Sequence, residues 1–322
     1  MSEKEILMSV RDLSKEYPAP GKKTVRAVSG VSFDIYKGET LALVGESGCW
    51  KSTLARTLIG LIPPTSGSVK YGGAEIGGLS EKKFRPYRSK MQLIFQDPYA
   101  SLDPRMTVRN IIAEPLEAAG VCSDWDETTR RVLSLMEAVG VSSDCLYRYP
   151  HQFSGGQRQR IGIARAIAPR PELIVCDEPV SALDVSVRNQ ILNLLRALQS
   201  EFGLTYLFIS HDLSVVRFFS DRTAVMFLGR LCEIGPTKEV YENPLHPYTK
   251  LLLSAVPRPD PHRRDEERPL ISGEMPSPVS PPSGCRFRTR CPLAKEACAG
   301  AAPEMRGGGE HLAACYFADI RP

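Results

Sequence analysis

Gly45-Glu46-Ser47-Gly48-Cys49-Trp50-Lys51-Ser52-Thr53 is the stretch from which the rest of this 322-residue chain can be read. An apolar run, Leu41-Ala42-Leu43-Val44, precedes it, and a helix-forming segment over 54–61 follows. Strand, glycine-bearing turn and helix in that order are the setting of the phosphate-binding loop, G-x-x-x-x-G-K-[ST]. Gly45, Lys51 and Ser52 stand where the pattern asks for them, but the second glycine is Trp50. In the complete motif, successive backbone N–H groups wrap the phosphates, and the helix N-terminus adds a partial positive charge. The lysine ammonium reaches the outer phosphates and the hydroxyl holds magnesium. The candidate phosphate site is therefore the whole run 45–53, with Ser52 as the magnesium ligand.

Composition bounds the alternatives. Hydrophobic content of 42% and charge of 24% are ordinary for a globular protein, and the length suits one large or two small domains. The net charge of +4 gives no case for nucleic acid as a partner. No apolar run approaches the ~18 residues of a spanning helix. Met1-Ser2-Glu3-Lys4-Glu5 lacks the apolar core of a signal peptide, so the expectation is a protein that stays in the reducing compartment where it is made. Nine cysteines there argue against a disulfide framework.

Residues 6–35 alternate apolar and polar, with turn signals at 18–21, and read as antiparallel strands. Tyr17 closes the first of them, either as an aromatic on a sheet or as a stacking platform. Gly67-Ser68-Val69-Lys70-Tyr71-Gly72-Gly73 reads as a hairpin. Residues 91–95 form a buried strand ended by Gln96-Asp97-Pro98. Segments 107–119 and 126–139 show helical spacing between strand-rich blocks, which suggests an inserted helical subdomain over about 97–168. Phe153-Ser154-Gly155-Gly156-Gln157 then opens a helix over 158–168. Leu173-Ile174-Val175-Cys176-Asp177-Glu178 is a buried strand ending in two carboxylates. Ser181-Ala182-Leu183-Asp184 caps a helix over 185–199, and 204–209 is a further strand before Ser210-His211-Asp212. Strand–helix alternation of this kind means a parallel sheet. From Pro257 onward proline is frequent and periodicity is lost, leaving a loop-rich tail too poor in apolar runs to fold without a staple.

Six features occur in a fixed order: the 45–53 loop, Gln96, the run 154–157, Asp177-Glu178, Asp184 and His211. With FSGGQRQR as the most specific piece, residues 6–256 resemble the ATP-binding subunit of an ABC transporter. The resemblance implies a P-loop NTPase with a RecA-like α/β core, an antiparallel β subdomain and an inserted helical subdomain, ATPase activity, and ATP and magnesium as cofactors. It implies roles residue by residue. Tyr17 stacks on adenine, and Ser52, Gln96 and Asp177 attend magnesium. Glu178 is the general base that polarises the attacking water, and His211 contacts the terminal phosphate. Phosphoryl transfer needs mainly positioning and charge neutralisation from these groups. Ser154, Gly155, Gly156 and Gln157 face the nucleotide of a second ATPase subunit in a head-to-tail dimer, and Asp184 links the two sites. Asn243-Pro244-Leu245-His246-Pro247-Tyr248-Thr249-Lys250, ahead of an apolar helix over 251–256, looks like the oligopeptide/dipeptide-importer branch. Gln96-Asp97-Pro98-Tyr99-Ala100-Ser101-Leu102 resembles the second of its two ATPase subunits. That branch implies a heterodimer of ATPases, two membrane permeases, an extracytoplasmic peptide-binding protein and residence at the cytoplasmic face of the inner membrane. Peptide is the expected cargo, with another solute such as nickel as the alternative.

Two features depart from plain expectation. Glycine at position 50 would let the backbone approach the phosphates. Trp50 adds a Cβ and an indole, with strain of ~1–3 kcal/mol. The chain's own loop is expected to bind nucleotide weakly or not at all unless the indole turns out of the loop. A degenerate chain would still lend its Ser154–Gln157 run to an active partner. The second feature is Cys285, Cys291, Cys298 and Cys315 in the tail, 257–322. Four thiolates can hold tetrahedral zinc or an iron–sulfur cluster, and the spacing fits no common pattern of either. The resemblance implies a 4Fe–4S cluster.

Overall fold

The computed structural model describes residues 4–21, 23–122, 124–255 and 274–318. Its backbone forms two compact units. One comprises Met1–Glu5, Tyr36–Glu39 and Leu79–Ile209, the other Ile6–Ile35, Thr40–Gly78 and Ser210–Pro322.

The second of these carries the phosphate loop. Strands β1 (Ile6–Ala19) and β2 (Lys23–Tyr36) alternate as the sequence predicts, and Met8, Val10 and Leu13 are fully buried. Strand β3 (Thr40–Val44) has every residue buried, so its apolar run is continuous rather than alternating. It leads through the loop into α1 (Lys51–Leu58), which buries Leu54, Ala55 and Leu58. Strands β4 (Ser66–Tyr71) and β5 (Ala74–Glu75) are the expected hairpin. Gly72 and Gly73 both take positive φ in its two-residue turn, the backbone such a hairpin demands. β4 runs antiparallel to β1, with Val10 opposite Val69.

This unit also contains strands that the sequence reading does not anticipate. With α2 (Glu81–Arg88), β6 (Met91–Ile94), α3 (Val108–Ala118), α4 (Trp125–Ala138), α5 (Gly155–Ile167), β7 (Leu173–Asp177), α6 (Val185–Phe202) and β8 (Thr205–Ile209) assigned to the other unit, the chain returns through α7 (Leu213–Phe219). A hairpin of β9 (Arg222–Phe227) and β10 (Arg230–Pro236) follows. β9 lies parallel to β3, pairing Val44 with Val225. After α8 (Thr237–Glu242) and α9 (Pro247–Ser254), the tail adds β11 (Arg306–Gly308) and β12 (His311–Ala313), and β12 pairs with β10. The tail is therefore held by strand pairing and by packing of its own side chains. Phe287 is buried among Phe227, Tyr248 and His246. The carboxylate of Glu233, itself fully buried, accepts from the N–H groups of Leu245 and His246 and pairs with His311 at 2.7 Å.

In the other unit β6, β7 and β8 are parallel, in register Ile94–Cys176 and Cys176–Phe208. Helices α3, α4 and α5 pack on one another, giving the inserted helical group that the spacing predicts. α6 ends at Gly203 in the left-handed conformation, where glycine carries no Cβ penalty.

Helix starts are the main difference from expectation. α5 begins at Gly155 rather than 158, and α9 begins at Pro247 rather than 251. Both are explained by caps: Ser154 and His246 accept first-turn N–H groups, and proline suits the first helical position. No helix among the described residues is long and apolar enough to cross a membrane.

Candidate functional site

The phosphate loop is shaped by two glycines. Gly45 has φ 150°, and a Cβ there would stand 2.1 Å from the backbone oxygen of Met226. Gly48 has φ 79°. Lys51 is buried, and its ammonium donates to the carbonyls of Gly45 (2.8 Å) and Glu46 (3.0 Å), so the lysine lies folded over its own loop. Ser52 and Thr53 occupy the first turn of α1, half-buried, while Ser47 is exposed. Burial holds the Cys49 thiol above its ordinary pKa, so it is a packed neutral group.

Trp50 adopts φ 74°, ψ 24°, the left-handed conformation of the missing glycine. The loop thus keeps its backbone course at a cost of ~1–2 kcal/mol for a side chain in that region. The indole packs against the ring of Tyr17, centroids 6.4 Å apart and planes inclined by 29°. Its Nε1 is buried and has no hydrogen-bond partner among the described residues. The aromatic expected to stack on a base is thus already in contact with the loop's anomalous residue, and the Lys15 ammonium lies 4.9 Å from the same ring.

Glu46 carries an anchor that the sequence reading missed. Its carboxylate takes the guanidinium of Arg290 at 2.9 Å, and its N–H donates to the Tyr248 hydroxyl. Arg290 is 244 positions away, so no local pattern could signal the pair. His211 is exposed, ahead of Asp212, whose carboxylate caps α7 through the N–H groups of Ser214 and Val215.

In the other unit β7 delivers Asp177, 2% exposed, to its end. Glu178 follows with φ 50°, a strained conformation for a non-glycine residue and one often found at functional positions. Its N–H is fixed to the Ile209 carbonyl, and its carboxylate accepts from the Gln96 amide at 2.9 Å. The structure thus brings Gln96 and Glu178 together, two residues that the sequence places 82 positions apart.

Ser154 is the N-cap of α5 and forms a reciprocal capping box with Gln157: Ser154 Oγ accepts from the Gln157 N–H, and Gln157 Oε1 accepts from the Ser154 N–H. Gly155 and Gly156 therefore sit in the first turn, where N–H groups lack intrahelical acceptors. At Gly156 a Cβ would lie 2.5 Å from Cγ1 of Val187, so glycine here permits close packing of α5 on α6. Asp184 is the N-cap of α6. The Val187 N–H and the Ser186 hydroxyl on its carboxylate hold its pKa below the ordinary value.

Cys285, Cys291, Cys298 and Cys315 are free thiols that line one narrow apolar pocket with Phe287 and Phe317. Burial raises the pKa of Cys285, Cys291 and Cys315, and neighbouring cysteines add to it. Among the described residues, no three His, Cys, Asp or Glu side chains converge closely enough to hold a single metal ion.

Comparison with known proteins agrees with this geometry. Residues 28–181 match the ABC transporter family, and residues 232–298 match the oligopeptide/dipeptide transporter C-terminal region. The chain is 56% identical over 301 residues to the putative oligopeptide transport ATP-binding protein YkfD of Bacillus subtilis (strain 168), covering 93% of this chain and 92% of that protein. It is 50% identical over 328 residues to the oligopeptide transport ATP-binding protein OppF of Salmonella typhimurium, covering 99% and 98%. An ATP-binding cassette solved as a dimer in a post-hydrolysis state with ADP and Pi superposes with a TM-score of 0.66 at 28% identity, over 71% of this chain and 98% of that one. The chain belongs to the ATP-binding proteins of the ABC transporter family, in the group that carries the oligopeptide/dipeptide-transporter C-terminal region.

Proposed function

We propose that this chain is the ATPase subunit that couples ATP binding and hydrolysis to peptide import through separate membrane permeases. Its partners in this reading are a second ATPase subunit, two permeases and an extracytoplasmic peptide-binding protein, and it works at the cytoplasmic face of the inner membrane. Residues 1–256 act as the cassette, with 97–168 as its helical subdomain, and 257–322 as the cysteine-bearing region. The Gly45–Thr53 loop holds phosphates, and Ser52, Asp177 and Gln96 serve magnesium. Tyr17 stacks on the base, His211 reaches the terminal phosphate, and Ser154, Gly155, Gly156 and Gln157 offer donors to the partner's nucleotide. Asp184 carries the link between the two sites.

The observation that carries the reading is the Gln96–Glu178 contact at the end of a fully buried strand. It holds the carboxylate of a residue whose backbone is itself strained, and this supports a general-base role for Glu178. In the reconstituted transporter, Glu178→Gln is expected to lower ATP hydrolysis by about 10²–10⁴-fold, the ordinary contribution of a general base, with nucleotide binding retained. Unchanged hydrolysis and transport would favour the second reading, a structural partner whose own loop is impaired by Trp50. That reading draws on the indole's contact with Tyr17.

A 4Fe–4S cluster on the four cysteines is the reading that the family resemblance implies, with zinc as the alternative. What supports a shared ligand is that all four line one apolar pocket. Such a group, held by Cys285, Cys291, Cys298 and Cys315, would supply a cross-link between distant tail segments. Iron and sulfide analysis of anaerobically purified protein tests it; stoichiometric zinc without sulfide overturns it.

A further inference from the structure

A cavity of about 330 Å³ lies within the unit that carries the phosphate loop, and Cys285 is the one residue on its wall to which a ligand-holding role is given above. Its lining is chemically mixed: Arg230 and Arg286, Asp12 and Glu304, Phe227 and Phe287. Arg286 is 6% exposed and donates to the Leu228 carbonyl and to Ser29 Oγ. Burial and the nearby guanidinium groups of Arg230 and Arg26 push its pKa down to about 10. Like charges are thus gathered in a desolvated place.

Arg230 is the unexplained member. Its Nε is buried and has no hydrogen-bond partner among the described residues. A buried donor left unpaired is uncommon and leaves room for a partner, be it water, ion or ligand. Guanidinium groups pair best with carboxylate or phosphate oxygens. A bare anion does not account for the rest of the lining, because Asp12 and Glu304 would repel it. Both acids are exposed, and Asp12, within β1, is held in a left-handed conformation, φ 46°. The half-buried Pro303 and Met305 on the same wall ask for an apolar group. One ligand class answers all three demands: a molecule with a carboxylate, an ammonium group and an apolar side chain. The volume lies near the lower limit of small-molecule sites, about 300–1,000 Å³, which suits two residues better than four.

We propose that this cavity binds the zwitterion of a dipeptide-sized molecule, its carboxylate on Arg230, its ammonium on Asp12 and Glu304, and its side chain against Pro303 and Met305. The site reports on the phosphate loop. Arg286 holds the Leu228-Gly229 turn, and the Gly229 N–H donates to the Cys49 carbonyl at 3.3 Å, one residue from Trp50. A ligand on Arg230 therefore presses on the turn that supports the loop. The inference does not depend on the assignment of hydrolysis.

The test is calorimetric titration of the full chain, with Trp50 fluorescence read in a Trp125→Phe background. The probes are Leu-Leu, N-acetyl-Leu-Leu, Leu-Leu amide and inorganic phosphate. Leu-Leu is expected to bind and to change Trp50 emission. Blocking either terminus is expected to weaken binding at least tenfold, and Arg230→Gln to do the same without changing the melting temperature. Glu304→Gln, at an exposed position, is expected to abolish the preference for Leu-Leu over its N-acetyl form, and it keeps the test sound if Arg230→Gln does not fold. Absence of Leu-Leu binding overturns the proposal. So does phosphate binding as tightly as Leu-Leu, or affinity indifferent to the blocked termini and to both variants.

Discussion

The loop at 45–53 and the run at 154–157 are two solutions to one problem, presenting backbone N–H groups at a helix start. In the run, every device is in place: Ser154 and Gln157 cap each other, and Gly156 avoids pressing a Cβ on the Val187 side chain. In the loop, Gly45 is equally indispensable, but α1 starts from Trp50 with no side-chain cap. Trp50 nonetheless takes the glycine-like φ of 74°. The backbone course of the loop is therefore imposed by its surroundings, by Gly45 against Met226 and by Lys51 on two carbonyls, rather than by the residue at position 50. Local preference loses there to tertiary restraint, whereas in the run the two agree.

Removing the indispensable glycine in each turn separates these cases most sharply. Gly45→Ala drives a Cβ into a backbone oxygen that has no rotamer to yield, and φ 150° is itself hostile to side chains. A loss of about 3 kcal/mol is expected, at the upper end for overpacking and strained backbone. Chemical denaturation would show it, and nucleotide binding would be lost with it. Gly156→Ala meets only the side chain of Val187, which can shift. Its expected cost is smaller, ~1–2 kcal/mol. A cost equal to that of Gly45→Ala would mean that α5 and α6 are as rigid as the loop. Ser154→Ala, which leaves the glycines untouched, should cost about 1 kcal/mol through loss of the cap. The capping box also holds the first-turn donors, so ATPase activity in the assembled transporter should fall more steeply than stability.

Much of this arrangement is legible in the residues. The apolar runs at 41–44, 91–94, 173–177 and 205–209 are strands because no polar face interrupts them, and each ends at or just before a candidate site residue. Asp177, Glu178 and the loop could be placed on that basis. The β9–β10 hairpin and the tail strands could not. β11 and β12 span three residues each, with Gly307 and Gly308 among them, and have almost no strand propensity of their own. They exist because β10 offers an edge and Glu233 a buried carboxylate for His311. The Arg290–Glu46 and Gln96–Glu178 pairs are likewise products of the fold, since no periodicity links residues that far apart. The early start of α5 was hidden for the opposite reason. Gly155 and Gly156 are poor helix formers, and the capping box that overcomes them is visible only once Ser154 and Gln157 are seen as a pair.

Trp50→Gly should change stability least and inform most. Relief of the left-handed strain gains ~1–2 kcal/mol. Glycine returns much of that by widening the unfolded ensemble, a penalty of ~0.5–1 kcal/mol. The contact with Tyr17 also disappears, and the buried, unpaired indole N–H goes with it. These terms nearly cancel, so the melting temperature should move little. Nucleotide affinity has no such cancellation. Without the indole, the phosphates meet bare backbone, and Tyr17 is released to stack on a base. A gain of about tenfold, ~1.4 kcal/mol, is expected in titration with ATP. If affinity stays level while stability also stays level, the surroundings alone set the loop, and position 50 is as free for function as it is for folding. If stability rises by the full strain term with affinity unchanged, the indole costs the fold and spares the nucleotide, and the contrast between the two turns becomes one of stability alone.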